Sequence, residues 1–402
     1  MDSQSPLKRP RTEDDPSALP FTRSKIWYYD GSIVLQAEQT QFRVHASLLS
    51  AGSTVFKDMF ELARANVDAQ VEGCPFVQLY DDKAEDVELV LAALYDRNFY
   101  KTQGKDFAQV AAMWRLGKKY EFDELRDDAK RRLECMFPTT LLEFQSRWYT
   151  HPHAPTSQIH PYAGLVFEVI NLARDTGFLS ILPAALYLAC STGVDHRVVQ
   201  ENILVGLPDE RGGRIHLSTA DKNLCILATS DLLRKQWELS YTWVPEVGRG
   251  CGTVQCRIVR DDFRDSLGPI HGMTALNPTS PPLKGRLSPC SRCLSLRNTG
   301  WVSGQAALWD QLPSIFNLPS WDEIKKEMLR YAQPVNSSCP SKFFREVSRS
   351  QPTHNSNTTF YSRQYNIFLE QPFCSMYSMT LLAQLTDPRR VSRLLKMPHL
   401  PS

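Results

Sequence analysis

The sequence predicts an α+β protein, with a small domain of strands and helices followed by a mainly α-helical region and a segment rich in cysteine and proline. Two observations predict this. Apolar residues alternate with other residues over 33–37 and 42–44, as they do in half-buried strands. Beyond residue 45 the apolar residues recur every three or four positions, as they do in amphipathic helices.

The composition is that of a folded protein of ordinary charge. A chain of 402 residues has the length of two to three domains, at roughly 150 residues per domain. The net charge, 46 − 44 = +2, gives the whole chain no strong attraction to nucleic acid or to an anionic membrane. No apolar stretch reaches the ~20 residues that a bilayer requires, so we expect no membrane partner. The polar start of the sequence predicts no secretory signal.

The first domain is predicted over 24–137, after a disordered tail at 1–23. The two alternating segments form a hairpin, and two short helices follow with a break near Gly52, where Ser53 is a natural N-cap. A third strand is expected at 77–79. Asp82 and Glu85 then have the spacing of a capping box, which predicts the start of the next helix.

The rest of the chain divides into four predicted segments. Residues 138–245 are expected to be α-helical after a proline-rich linker that reaches residue 162, with Gly177 ending one helix and Ser218 capping another. Residues 246–300 lose the helical period and gain glycine, proline and cysteine. A tryptophan-rich helical segment is predicted at 301–332, and a mostly disordered tail at 333–402.

No catalytic motif is found. The sequence lacks the glycine-rich phosphate loops, the zinc-protease motif and the nucleophile elbow that identify large enzyme classes. Acidic pairs such as Asp81 and Asp82 fall at predicted turns, where carboxylates are usually solvated caps. We therefore predict that the protein is not an enzyme and has no certain cofactor.

Four cysteines form the sharpest chemical pattern. Cys251 and Cys256 make one pair, and Cys290 and Cys293 make a second, of the C-x-x-C type. Two such pairs can complete the tetrahedral thiolate set of a structural zinc ion, which would order a segment that has little apolar material of its own. His271 is a possible substitute ligand. The alternative interpretation is that these cysteines are free thiols in a loop.

Basic clusters give a weaker signal. Lys8, Arg9 and Arg11 could serve a nuclear import receptor. The basic run at 130–132 follows several acidic residues, which is typical of a solvated helix face, so nucleic acid is not an expected partner. We predict nuclear or cytoplasmic localisation, or both. An alternative function is a nuclear transcription regulator whose zinc-ordered segment contacts nucleic acid.

The first domain resembles the BTB/POZ family. The resemblance rests on the run Asp30 to Leu35, the pattern F-x-V-H-x-x-L-L-S at 42–50, and S-x-x-F-x-x-M-F at 53–60, followed by the strand at 76–79. Phe137-Pro138-Thr139-Thr140, Gly177-Phe178-Leu179 and Trp309-Asp310-Gln311-Leu312-Pro313 also look like the longer BTB proteins of mushroom-forming fungi (basidiomycetes).

The resemblance implies a protein-interaction scaffold or adaptor. Members of the family commonly dimerise through this domain, and many present substrates to cullin-RING ubiquitin ligases or recruit transcriptional regulators. Protein partners, a homodimer and a cullin-RING ligase are therefore the expected partners. The positions that match the family's dimer and core signature are Asp30, His45, Leu48, Ser53 and Phe56.

Overall fold

The fold is taken from a computed structural model that describes residues 21–65, 70–101, 104–150, 158–191, 196–209, 212–244, 251–267, 273–283 and 287–330. The described residues form two compact units. The first is drawn from Met1–Met136 and Ala154–His160, and the second from Phe137–His153 and Pro161–Ser402. The predicted tail at 333–402 and nearly all of the predicted tail at 1–23 lie outside the described residues.

A five-stranded mixed sheet forms one side of the first unit. Its strands are β1 (Thr22–Trp27), β2 (Ile33–Ala37), β3 (Thr40–Val44), β4 (Gln70–Val71) and β5 (Cys74–Leu79), in the order β1-β3-β2-β5-β4. The predicted hairpin is confirmed, because β2 and β3 pair antiparallel with Leu35 opposite Phe42. The sequence missed β1, which begins inside the predicted tail. It is an edge strand whose residues are mostly polar and include one buried side chain, Ile26, so it carries no apolar alternation.

Within the described residues of the first unit, five α-helices accompany the sheet. They are α1 (Ala46–Gly52), α2 (Thr54–Ala65), α3 (Ala84–Tyr95), α4 (Phe107–Lys119) and α5 (Asp123–Met136). The predicted cap at Ser53 is confirmed, since its Oγ accepts the Phe56 N–H at 3.0 Å. The capping box predicted from Asp82 is wrong. The N-cap of α3 is Lys83, and Asp82 is buried beneath the turn instead.

Residues 158–160 belong to the first unit, although the sequence predicted a linker there. The Lys105 N–H donates to the Gln158 carbonyl, and the His160 N–H donates to the Lys105 carbonyl. The guanidinium of Arg132 also donates to the Gln158 carbonyl, at 3.1 Å. This buried arginine is thus one of the groups that hold the returning segment, a role that helical periodicity does not predict.

The described part of the second unit is helical apart from turns, loops and a small ribbon of β6 (Leu207–Pro208) and β7 (Arg214–Ile215). Gly177, with φ of 70°, ends its second helix as predicted, and the Ser218 side chain caps the long α10. The tryptophans of the tryptophan-rich segment are buried, and the rings of Trp309 and Trp321 stack with centroids 5.3 Å apart. The helices are α6 (Leu141–Gln145), α7 (Leu165–Thr176), α8 (Leu182–Ser191), α9 (His196–Val205), α10 (Thr219–Ser240), α11 (Val254–Leu267), α12 (Ser291–Ile315) and α13 (Trp321–Arg330).

Helical structure inside 246–300 corrects the expectation of an aperiodic segment. α11 lies wholly within that range, and α12 begins ten residues before the predicted helical start at 301. The buried positions of α11 are Cys256, Val259, Arg260 and Phe263, which do have helical spacing. A cysteine and an arginine occupy two of them, so the apolar pattern is too weak to recognise in the sequence.

A close approach between α10 and α12 requires glycine at position 304. A Cβ there would lie 2.6 Å from the Leu239 carbonyl oxygen and 2.5 Å from the Ser240 Oγ. In a helix, alanine is more favourable than glycine by about 1 kcal/mol of folding free energy. Overpacking of the added methyl group against the backbone costs about 1–3 kcal/mol. We expect Gly304→Ala to lower the free energy of unfolding, as measured by urea denaturation.

Gly300→Ala, one turn earlier on α12, is the matched control. Its Cβ would meet only the Thr242 hydroxyl within 3 Å, and that side chain can rotate away. We expect this variant to be as stable as the wild type or slightly more stable. A Gly304→Ala protein that is also stabilised would contradict the close helix packing described here.

Among the described residues, none of the helices combines the length and the apolar character needed to cross a membrane.

Candidate interaction domain and candidate metal centre

Two of the predicted signature residues, Asp30 and His45, meet at the surface of the first unit. The His45 Nε2 lies 3.3 Å from the Asp30 carboxylate, and its Nδ1 lies 2.8 Å from the Tyr95 hydroxyl. Tyr28 stacks on the Tyr95 ring with centroids 4.4 Å apart. The hydrogen bond with His45 lowers the pKa of the Asp30 carboxyl. This cluster ties the start of α1 to the end of α3, which gives His45 a structural role.

The other signature residues build the interior of the same unit. The Ser53 Oγ donates to the Tyr120 carbonyl while it caps α2, so it joins the start of α2 to the end of α4. The Phe56 ring packs on Tyr120 and Phe122, with centroids 4.5 Å and 5.5 Å away. Leu48 is half-buried in α1. Asp30, His45, Ser53 and Phe56 thus make contacts within the first unit, and a binding role for the five positions stays a prediction.

Asp82 is a structural residue that the sequence misjudged as a solvated cap. Its carboxylate is buried, accepts a hydrogen bond from the Tyr120 hydroxyl and lies 2.8 Å from the Lys119 Nζ. Burial, with the hydrogen bond to Asp82, raises the pKa of Tyr120 well above its usual value. A signal for this role was absent from the sequence, because the partners lie 37 and 38 residues away.

The four predicted metal ligands converge in the second unit. The Sγ atoms of Cys251, Cys256, Cys290 and Cys293 all lie within 4.8 Å of one another. The Sγ atoms of Cys251 and Cys290 are 3.5 Å apart, and the Cys290 N–H donates to the Cys256 Sγ at 3.2 Å. This geometry is compatible with a structural metal ion. His271, the suggested substitute, lies outside the described residues.

Each cysteine pair lies across the beginning of a helix. Thr253 caps α11, since its Oγ1 accepts the Cys256 N–H at 3.4 Å, and Cys290 is the N-cap of α12. Cys256 and Cys293 occupy the first turns of the two helices and are buried, while Cys251 and Cys290 are half-buried. The partial positive charge of a helix N-terminus favours thiolates. The sequence indicated the cysteine pairs but missed these helix starts.

Hydrogen bonding affects the ionisation of the cysteines. The hydrogen bonds that Cys251 makes with the Thr253 hydroxyl and N–H lower the pKa of its thiol to about 6. The Cys290 N–H, which points at Cys256, lowers the pKa of the Cys256 thiol. Burial raises the pKa of the Cys293 thiol to about 12. The hydrogen bonds at Cys251 and Cys256 therefore favour the thiolate, which is the form that binds metal.

The first unit is a mixed α+β domain, and its polar residues His45, Ser53 and Asp82 make hydrogen bonds within it. Residues 27–134 match the BTB/POZ domain family. The chain therefore carries a BTB/POZ domain, a protein-interaction module rather than a catalytic one. The searches of curated proteins and of solved structures found no significant match. The likeness to the longer fungal proteins stays a prediction.

Proposed function

We propose that this protein is an adaptor that joins other proteins together, and that its BTB/POZ domain is the part that binds them. The observation that carries the proposal is the match of residues 27–134 to a family of interaction domains. The contacts of His45, Ser53 and Phe56 support it, because residues of the matching motif pack within the first unit.

The first partner that we propose is a second copy of the chain. Large apolar side chains are exposed on the first unit and would lose contact with water in a dimer, as interface residues do. Leu62 on α2 is 75% exposed, and Tyr80, just after β5, is 74% exposed. Phe21 and Tyr29, on either side of β1, are also more than half exposed. Presentation of substrates to a cullin-RING ubiquitin ligase is a further role that the domain class suggests.

The alternative function, a nuclear regulator that contacts nucleic acid through the cysteine segment, is less well supported. α11 begins at the cysteine cluster, but its arginines alternate with Asp261, Asp262 and Asp265. The Arg264 guanidinium is paired with Asp261 at 3.0 Å. A phosphate backbone requires a concentrated basic face. Nuclear or cytoplasmic localisation also stays a prediction, because the basic cluster at 8–11 lies outside the described residues.

The test is the co-purification of two differently tagged full-length copies. We expect the wild-type copies to purify together, and the double variant Leu62→Lys and Tyr80→Lys to weaken the association about tenfold or more, or about 1.4 kcal/mol. A lysine at position 62 suits a helix and lies one turn after Asp58, so the fold should tolerate it.

Leu227→Lys is the matched control, because Leu227 is a similarly exposed leucine on a helix of the second unit. We expect it to leave the association unchanged. Mixing the tagged protein with a purified cullin tests the second partner class in the same assay. Wild-type copies that remain separate, and that also fail to retain a cullin, would contradict the proposal.

A further inference from the structure

We infer that Cys251, Cys256, Cys290 and Cys293 bind one zinc ion, and that this ion joins the N-termini of α11 and α12 into a single structural unit. This inference is independent of the interaction role proposed for the first unit. It concerns only residues of the second unit.

The sulfur positions fit a mononuclear tetrahedral site. Four thiolates at ~2.3 Å from a zinc ion lie about 3.8 Å apart. The four Sγ atoms lie within 4.8 Å of one another, and the Cys251–Cys290 separation is 3.5 Å, so these limits bracket the tetrahedral value. A cluster with several iron atoms holds its cysteines farther apart. Four sulfur ligands and the short distances between their Sγ atoms together favour a single zinc ion.

The surroundings fit the charge of such a site. A zinc ion with four thiolates carries a net charge of −2, and two helix N-termini point their partial positive charges toward it.

The ion would attach the start of α11 to the start of α12, because side-chain packing holds mainly the far half of α11. The far half of α11 is held by Phe263, which packs against Tyr241 and Trp243 in an aromatic core cluster. Near its start, the buried Cys256 accepts the Cys290 N–H of the next helix through its Sγ, and Val259 is buried three residues later. The Gln255 side chain adds one hydrogen bond to the Ser288 carbonyl, at 2.7 Å.

The site is structural rather than catalytic. Four protein sulfurs fill the tetrahedron, so no position is left for water or substrate. Two of the four cysteines are buried and the other two are half-buried, as expected for a closed site. The thiols release their protons when the metal binds, and no electron transfer is involved.

The experiment measures metal in the full-length protein, purified under reducing conditions and supplied with Zn²⁺. We expect about one zinc per chain by mass spectrometry of the metal. Cys256→Ser and Cys293→Ser should each lower the zinc content clearly below that of the wild type, because the tetrahedral site then loses one of its four sulfur ligands. Cys135→Ser is the control, because this exposed cysteine lies outside the cluster, and it should keep the full zinc content.

Cobalt substitution covers the case in which a cysteine variant fails to fold. Wild-type protein loaded with Co²⁺ should show the absorption of a tetrahedral tetrathiolate site, and added Zn²⁺ should remove it. Reduced protein that binds neither ion would overturn the inference. So would a cobalt spectrum that the Cys293→Ser variant retains unchanged, or a disulfide between any two of the four cysteines in protein that was never exposed to oxidant.

Discussion

Removal of zinc from the full-length protein is expected to expose α11 and the first turns of α12 to solvent exchange. A structural zinc site contributes about 10–16 kcal/mol of binding free energy in small zinc domains. A whole domain is stable by only about 5–15 kcal/mol. Since α11 depends on the site at its first turn, its backbone hydrogen bonds should open once the metal is lost. Hydrogen–deuterium exchange of peptides covering 254–267 and 287–300, with and without a strong chelator, measures this effect.

Peptides from β2 and β3 provide the internal control for the chelation experiment. The hairpin at 33–44 lies in the first unit and has no cysteine, so its protection should stay constant. Addition of Zn²⁺ should restore the protection of α11. Protein shown to be free of metal, yet with α11 still fully protected, would mean that packing around Phe263 is sufficient and that the ion has no structural role.

Arg132→Met is expected to destabilise the first unit by about 3–5 kcal/mol, the cost of breaking one side of a buried ion pair. The Arg132 side chain is 2% exposed and lies 2.7 Å from the Asp128 carboxylate, which is itself 9% exposed. Its guanidinium also donates to the Gln158 carbonyl. Methionine fills a similar volume, but it carries no positive charge to pair with the Asp128 carboxylate. It also has no N–H to donate to the Gln158 carbonyl. Urea denaturation, followed by circular dichroism, measures the loss.

Lys130→Met is the control for this prediction. Lys130 lies on the same helix and is half-buried, so its replacement should change the free energy of unfolding by about 0.5 kcal/mol or less. The double variant Arg132→Met and Asp128→Leu should be less destabilised than the sum of the single variants, because it leaves no buried carboxylate without its arginine partner. Equal stability of Arg132→Met and the wild type would contradict the role assigned to this arginine.

The sequence predicted best the features that depend on neighbouring residues. The hairpin at 33–44 follows from alternation, and the caps at Ser53 and Ser218 follow from side-chain chemistry that acts within three residues. The ordered motif at 30–60 likewise indicated the BTB/POZ domain. These signals are local, so a single sequence contains them in full.

The features that the sequence missed depend on distant contacts. β1 is recognisable only through its pairing with β3, because its own residues are mostly polar. Asp82 looked like a helix cap until its partners at the end of α4 were known. α11 was hidden because its buried stripe includes a cysteine and an arginine. In each case the deciding interaction joins residues that are far apart in the chain, and no short pattern encodes it.

The candidate metal site was predicted in part. The spacing of Cys290 and Cys293 indicated one half of a metal site, and the other half required the looser pair Cys251 and Cys256. Whether two pairs separated by more than thirty residues meet is a tertiary question. The structure brings them together through two helix starts, and those starts had not been recognised in the sequence.

We propose that the BTB/POZ domain makes this protein an adaptor that associates with a second copy. Size-exclusion chromatography with light scattering on the full-length protein, over a range of concentrations, measures this association. We expect a molar mass about twice the 45.8 kDa of one chain. A mass of 45.8 kDa at every concentration would contradict it.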